Sequence, residues 1–207
     1  MTAPVVLLAT RSAGKLRELR PMFAAAGWAV RDLAEAGIPE MPEEASIEEC
    51  STFEGNARAK ARYFFSRSGG LPVVAEDSGL EVGALRGAPG VMSKRWSGRP
   101  ELSGDALDEA NKALLLDRLR GVSDRRARYV CAAVYFDGVR ELTARGETAG
   151  RIAESRHGGT TGFGYDPYFV SDELGRAFSE VTPDEKAAVS HRGRAFASLL
   201  RMLGERR

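Results

Sequence analysis

Apolar residues run unbroken through residues 5–9. They give way to Thr10-Arg11-Ser12-Ala13-Gly14-Lys15, after which Leu16, Leu19, Met22, Phe23 and Ala26 recur at helical spacing. The run predicts a buried strand, and the spacing predicts a helix over residues 14–26 that Gly27 stops. Residues 28–33 read as a second strand. Residues 39–51 are acidic and carry prolines, which predicts a loop. A helix follows over residues 53–66, ended by Gly69-Gly70, and then a short buried strand over residues 71–75. The glycine-rich stretch 79–98 reads as strands and turns around a site. Residues 105–119 read as a helix that turns Leu107, Ala110 and Leu114 inward. Strand-like runs at 127–136 and 139–148 flank Asp137-Gly138, a dipeptide that suits a tight hairpin turn. Residues 151–165 are irregular and 168–170 a short strand. The last helix, 190–203, sets Phe196, Leu199, Leu200 and Leu203 on one face. Strands interleaved with helices, together with one hairpin, predict an α/β protein with a mixed sheet.

Composition narrows the picture. The 207 residues, 43% of them hydrophobic, suffice for one domain or one domain in two lobes with a sizeable core. A net charge of +1 gives no whole-molecule steering of nucleic acid, so any anion site must be local. Cys50 and Cys131 form no C-x-x-C pair and read as reduced thiols of a cytosolic protein. The N-terminus lacks the basic-then-apolar layout of a signal peptide, and no apolar run reaches the roughly 18 residues of a membrane helix.

Five constellations could carry chemistry. The strand–turn–helix at residues 5–26 converges backbone N–H groups, two hydroxyls and the Lys15 ammonium before a helix N-terminus, an arrangement that attracts anions. It is not a Walker A loop, because Ala9 and Leu16 stand where that motif needs Gly and Ser/Thr. Glu76-Asp77 ends an apolar run. Adjacent strand residues point to opposite faces, so the two carboxylates do not form a dyad, and Asp77, beside Ser78-Gly79, is the better placed for a site. Asn56 and Lys60 share a helix face four residues apart, downstream of Glu48 and Glu49. By spacing alone these read as a solvated face, and by chemistry as carboxylates for Mg2+ and a point charge for phosphate. Phe163, Gly164, Tyr165 and Asp166 combine aromatic faces, close backbone approach and a carboxylate, which suits a nucleobase. Lys186, His191 and Arg192 cluster just before or at the start of the last helix, where cations oppose the helix dipole and call for an anion or polar ligand. Ser190 can cap that helix, and His157 lies in a loop without an obvious partner.

Seven motifs in order, T-x-x-x-x-K at residues 10–15, T-F-x-x-N-A-x-x-K-A at 52–61, E-D-S-G-L at 76–80, G-A-P-G-V at 87–91, G-F-G-Y-D-P at 162–167, E-K at 185–186 and S-H-R at 190–192, resemble the inosine triphosphate pyrophosphatase family over nearly the whole chain. The resemblance implies an elongated α/β fold with a long twisted mixed sheet and flanking helices. It implies one domain over residues 1–207, with two lobes and a central cleft. It further implies Mg2+, a homodimer, a cytoplasmic setting, and hydrolysis of ITP, dITP or XTP to the monophosphate and pyrophosphate. Thr10, Arg11, Ser12, Ala13, Gly14 and Lys15 would hold the triphosphate. Asp77 would bind metal and activate water, with Glu48 as the second metal acid and Glu49 or Glu44 as alternatives. Lys60 and Arg95 would absorb charge on the leaving pyrophosphate, and Ser78 would contact the nucleotide. Phe163, Gly164, Tyr165 and Asp166 would form the base and ribose pocket, completed by Lys186, His191 and Arg192. The competing reading is a nucleotide-binding sensor without hydrolysis.

Overall fold

The computed structural model describes residues 3–205. The first apolar run forms β1 (Val5–Leu8), and Ser12 caps α1 (Ala13–Ala25) by accepting a hydrogen bond from the Lys15 amide. The chain returns through Gly27, whose φ of +74° suits a residue without Cβ, into β2 (Ala29–Asp32). The proline-bearing loop contains a single 3₁₀ turn, Pro42–Ser46. Thr52 caps α2 (Phe53–Phe65) through the Gly55 amide. Then come β3 (Val73–Val82), 3₁₀ turns at Gly83–Leu85 and Gly90–Arg95, and α3 (Gly104–Arg118). The hairpin is β4 (Arg126–Phe136) and β5 (Glu141–Ile152), and β6 (Phe169–Ser171), α4 (Pro183–Val189) and α5 (His191–Gly204) complete the chain.

The six strands form one sheet in the order β2-β1-β3-β4-β5-β6. β1 pairs parallel with β2, Val5 opposite Ala29, and parallel with β3, Leu7 opposite Val73. β5 pairs antiparallel with β6, Gly150 opposite Ser171. The mixed sheet with flanking helices is therefore present as expected. At the hairpin turn the Asp137 carboxylate accepts the amides of Val139 and Arg140, and Gly138 takes φ +94°.

The chain divides into two compact units. Among the described residues, the first comprises 3–77, 131–146 and 192–205, the second 78–130 and 147–191. The first has a core of Val6, Leu8, Leu19, Phe23, Val74, Ala133, Phe196, Leu199 and Leu203. The second is built on Leu80, Leu115, Leu119, Tyr129, Ile152, Phe169 and Phe178.

Several expectations are corrected. The strand expected over residues 71–75 runs on to Val82, so Glu76, Asp77 and Ser78 lie inside β3 rather than at its end. Two consecutive carboxylates continue the strand because each finds buried polar partners, described below. α3 buries Leu115, with Asn111 and Lys112 beside it, while Leu107, Ala110 and Leu114 are half-exposed. The polar residues occupy the inner face because they are satisfied there. Asn111 accepts the Ser97 amide at 2.8 Å and donates to the Lys94 carbonyl at 3.0 Å, and Lys112 meets Glu109. β5 extends through Ile152 into the stretch read as irregular. Lys186 lies on a helix of its own, α4, which sequence patterning passed over. Its start is nevertheless marked by Thr182-Pro183-Asp184-Glu185, a capping box with proline at the first helical positions.

Candidate active site

In the first unit the β1–α1 turn is rigid. Thr10 Oγ1 accepts the Ser12 amide at 3.2 Å and Ser12 Oγ accepts the Lys15 amide at 3.4 Å, so both hydroxyls fix the turn that carries Ala13 and Gly14 into α1. Lys15 extends from this first turn to Glu76, with Nζ 2.7 Å from Oε1. Glu76 is 2% exposed and also meets Arg192 at 3.3 Å and the Cys131 thiol at 3.3 Å; Arg192 in turn contacts Glu18 at 2.5 Å. Burial works against the Glu76 carboxylate, but Arg192 and Lys15 outweigh it and hold its pKa well below the usual range. Lys15 is raised in return: burial and Arg192 oppose its charge, and Glu76, Glu48 and Asp77 together outweigh them. The Cys131 thiol is pushed far up by burial and by the Glu76 charge, so it is a non-nucleophilic core thiol. Sequence reasoning undervalued Glu76, and nothing local marks Glu18 as its indirect partner through Arg192.

Asp77 has the opposite balance. It is 5% exposed, and burial, then the charge of Glu48, lifts its pKa to about 6 against the pull of Lys60, Lys15 and an Asn56 hydrogen bond. Asn56 is fully buried. Its amide donates to Asp77 Oδ2 at 2.9 Å while its oxygen accepts the Cys50 amide at 2.8 Å, so both faces of the side chain are committed. One turn further along α2, Lys60 donates to the Glu76 carbonyl at 3.1 Å and pairs with Glu48. The helix face that spacing alone left as solvated is thus the floor of the acid group. Of the alternatives to Glu48, Glu44 is bound by Arg11 through two bonds of 2.6 and 2.7 Å, and Glu49 is exposed. Arg11 also donates to the Pro39 carbonyl at 2.8 Å, which ties the first turn to the acidic loop.

A buried carboxyl whose proton affinity is raised by a second carboxylate beside it suits a hard divalent cation. Among the described residues no group of three or more His, Cys, Asp or Glu side chains forms a complete cage. Two acids plus phosphate oxygens and water are the usual Mg2+ set, so the residues present fit such an ion held jointly with a polyphosphate.

In the second unit, the Asp166 carboxylate is 3% exposed and accepts the Phe163 amide at 2.7 Å and Lys186 Nζ at 2.6 Å. Lys186 lies 5.3 Å from the Phe163 ring centroid, a cation–π distance. Gly162 permits this turn: it has φ +81°, and a Cβ there would come within 2.3 Å of Asp166 Oδ2. The Gly164 amide donates to Asp108, and the Tyr165 hydroxyl donates to the Ser93 carbonyl at 2.8 Å. Burial, then the Asp108 charge, raises the Tyr165 phenol far above its ordinary value, so it acts as a neutral anchor. His191 stacks on Tyr129, with ring centroids 4.5 Å apart and planes 9° apart. Ser78 on β3 and Arg95 at the end of the 3₁₀ turn Gly90–Arg95 belong to this unit as well. His157 has a partner after all, since Nδ1 lies 3.3 Å from Glu180.

The chain is thus a mixed α/β protein with one six-stranded sheet, a buried two-acid group flanked by lysines in its first unit, and a carboxylate–lysine–aromatic group in its second. Known proteins share this architecture. The chain matches the model of the Ham1 family over residues 6–202. It is 48% identical over 199 residues to a dITP/XTP pyrophosphatase of Mycolicibacterium paratuberculosis, covering 94% of this chain and 93% of that one. A HAM1 protein from Coxiella burnetii superposes with a TM-score of 0.81 at 33% identity, covering 98% and 99% of the two chains. A nucleoside-triphosphatase/dITP/XTP pyrophosphatase from Mycobacterium abscessus gives 0.68 at 41% identity, covering 96% and 99%. The chain belongs to the Ham1 family.

Proposed function

We propose that this chain hydrolyses non-standard purine nucleoside triphosphates, ITP, dITP and XTP, to the monophosphate and pyrophosphate, and so clears them from the nucleotide pool. The observation that carries this is Asp77, a buried carboxyl with a pKa of about 6 that Asn56 holds in place beside Glu48, Lys60 and Lys15. Relatives named for the same reaction support it.

Because pyrophosphate leaves intact, water attacks the α-phosphorus. Asp77 takes the proton from that water, as a positioned carboxylate can when it acts as a general base. Phosphoryl transfer of this kind depends on positioning and charge neutralisation. Thr10, Arg11, Ser12, Ala13, Gly14 and Lys15 orient the triphosphate, and Lys15, Lys60 and Arg95 take up charge on the leaving pyrophosphate. Asp77 and Glu48 would hold Mg2+, which supplies further charge neutralisation on the phosphate oxygens. Ser78 contacts the nucleotide. Phe163, Gly164, Tyr165 and Asp166 receive base and ribose.

Hypoxanthine and xanthine carry a 6-oxo acceptor, which donors among Lys186, His191 and Arg192 can meet; adenine presents a donor there. Guanine adds a 2-amino group, and a buried donor left unpaired costs on the order of 1–3 kcal/mol, about tenfold to a hundredfold in kcat/KM. The protein acts as a homodimer in the cytoplasm on this reading, and sedimentation equilibrium at twice the chain mass checks the assembly.

Product analysis with ITP, dITP, XTP, GTP and ATP, with and without Mg2+, tests the function. The expected outcome is Mg2+-dependent pyrophosphate release, fastest from the first three, and a fall of at least a hundredfold in Asp77→Asn. Release of γ-phosphate, or equal rates on all five, would overturn it. Tight binding with no turnover would identify a nucleotide sensor instead.

A further inference from the structure

Tyr129 belongs to none of the motifs. It belongs to β4 and is 7% exposed. It lies parallel to His191 at 4.5 Å and 9°, parallel to Phe178 at 6.0 Å and 6°, and tilted against Phe169 at 4.6 Å. Its hydroxyl is 3.3 Å from Asp166 Oδ1. Asp166 Oδ2 already receives Lys186 and the Phe163 amide, and Lys186 lies against the rings of both Phe163 and Phe178.

Two parts of Tyr129 could matter, and the distances decide between them. A hydroxyl-to-carboxylate bond is normally 2.5–3.0 Å, so 3.3 Å marks a weak contact. The stack is close and nearly coplanar. An imidazole that must meet the edge of a flat base has to be held in one plane, because its terminal torsion is broad. The stack supplies that plane, and the core formed by Phe169 and Phe178 in turn fixes the Tyr129 ring.

We propose that Tyr129 is a positioning residue for purine recognition: its ring sets the plane of His191, and its hydroxyl makes only a minor contribution through Asp166. This rests on the function proposed above, and it deepens that reading by naming what orients the base-reading group.

Three variants and one spectroscopic measurement test it. Tyr129→Phe keeps the stack and should hold KM and kcat for ITP within about twofold, whereas Tyr129→Leu should raise KM for ITP about three- to tenfold, the range for a lost ring pair, with kcat little changed. The preference for ITP over GTP should narrow in Tyr129→Leu and return in Tyr129→Phe. Phe169→Leu loosens the support behind the Tyr129 ring but leaves the stack on His191 in place, so it should lower thermal stability and raise KM by less than Tyr129→Leu does. The proton spectrum of the wild-type protein, with the two histidines distinguished by His157→Gln, should show the His191 ring protons moved upfield by the stacked ring. An unchanged KM in Tyr129→Leu, an equal KM rise in Phe169→Leu, or an unshifted His191 signal in the wild type would each overturn the proposal. If the wild type releases pyrophosphate from no nucleotide, the function reading fails. The stack is then still decided by the His191 signal, and its role in base binding by calorimetric titration with IMP, where Tyr129→Leu should bind about three- to tenfold more weakly than Tyr129→Phe.

Discussion

Asp77 costs the fold what it contributes to the chemistry. Burial and the neighbouring Glu48 raise its pKa from an ordinary 3.8 to about 6, so above pH 6 the folded protein carries a charge that its surroundings disfavour. The sign follows from linkage. A raised folded-state pKa means stability is fully present below about pH 4 and is lost as pH rises through 6. Asp77→Asn removes the charge and keeps the shape, and an amide oxygen can still accept from Asn56. In metal-free buffer at pH 7 the variant should therefore be more stable than the wild type, by roughly 3 kcal/mol at most, with the difference closing toward pH 4. Urea unfolding across that pH range, alongside pyrophosphate assays, checks it. A variant both inactive and less stable at pH 7 would mean that Asp77 serves the fold.

At the scale of elements, α2 shows how one helix face organises a site. Asn56 and Lys60, four residues apart, reach Asp77, the Glu76 carbonyl and Glu48, and Asn56 also fastens the segment at Cys50. The spacing was readable in the sequence, but what lay opposite it was not. Helix ends, by contrast, were local. Thr52 and Ser12 cap the helices they precede, and the hairpin turned at Asp137-Gly138, because capping and turn chemistry act within a few residues. The irregular segment before β6 gives a sharp comparison of two adjacent glycines. At Gly159, with φ +86°, a Cβ would come within 1.8 Å of the Ser179 carbonyl oxygen, whereas at Gly158 nothing lies within 4 Å. Gly159→Ala should cost about 1–3 kcal/mol and Gly158→Ala well under 1, as read by thermal unfolding. Equal effects would show that the Ser179 contact is not maintained in solution.

At the scale of the whole molecule, net charge is small and the decisive electrostatics are internal. Lys15 and Glu18 from α1, Glu76 from β3, Cys131 from β4 and Arg192 from α5 join four elements of the first unit through one buried set of contacts. Replacing Glu76 by Gln leaves Lys15 and Arg192 as buried cations without their shared carboxylate, and should cost about 3–5 kcal/mol. Glu76 also predicts acid sensitivity. Its folded-state pKa is lowered well below 4.5, so its contribution is fully present above that value and disappears as pH falls through the lower folded value. The acid branch of a stability–pH curve should therefore be much flatter in Glu76→Gln than in the wild type, and equal slopes would remove Glu76 as the cause.

By itself the sequence determined what short-range physics controls: the first strand and helix, the helix α2, the hairpin, the mixed α/β class and, through seven ordered motifs, the family. Apolar periodicity, caps and turn residues act over a few positions and therefore show in the chain. Only the tertiary structure decided that β3 carries its two acids onward as strand, that Glu76 is held ionised while Asp77 is pushed toward neutrality, and that Tyr129 lies flat on His191. Those outcomes depend on burial and on charges and rings brought from distant positions. Desolvation and Coulomb interactions sum over whatever the fold places nearby, irrespective of its distance along the chain.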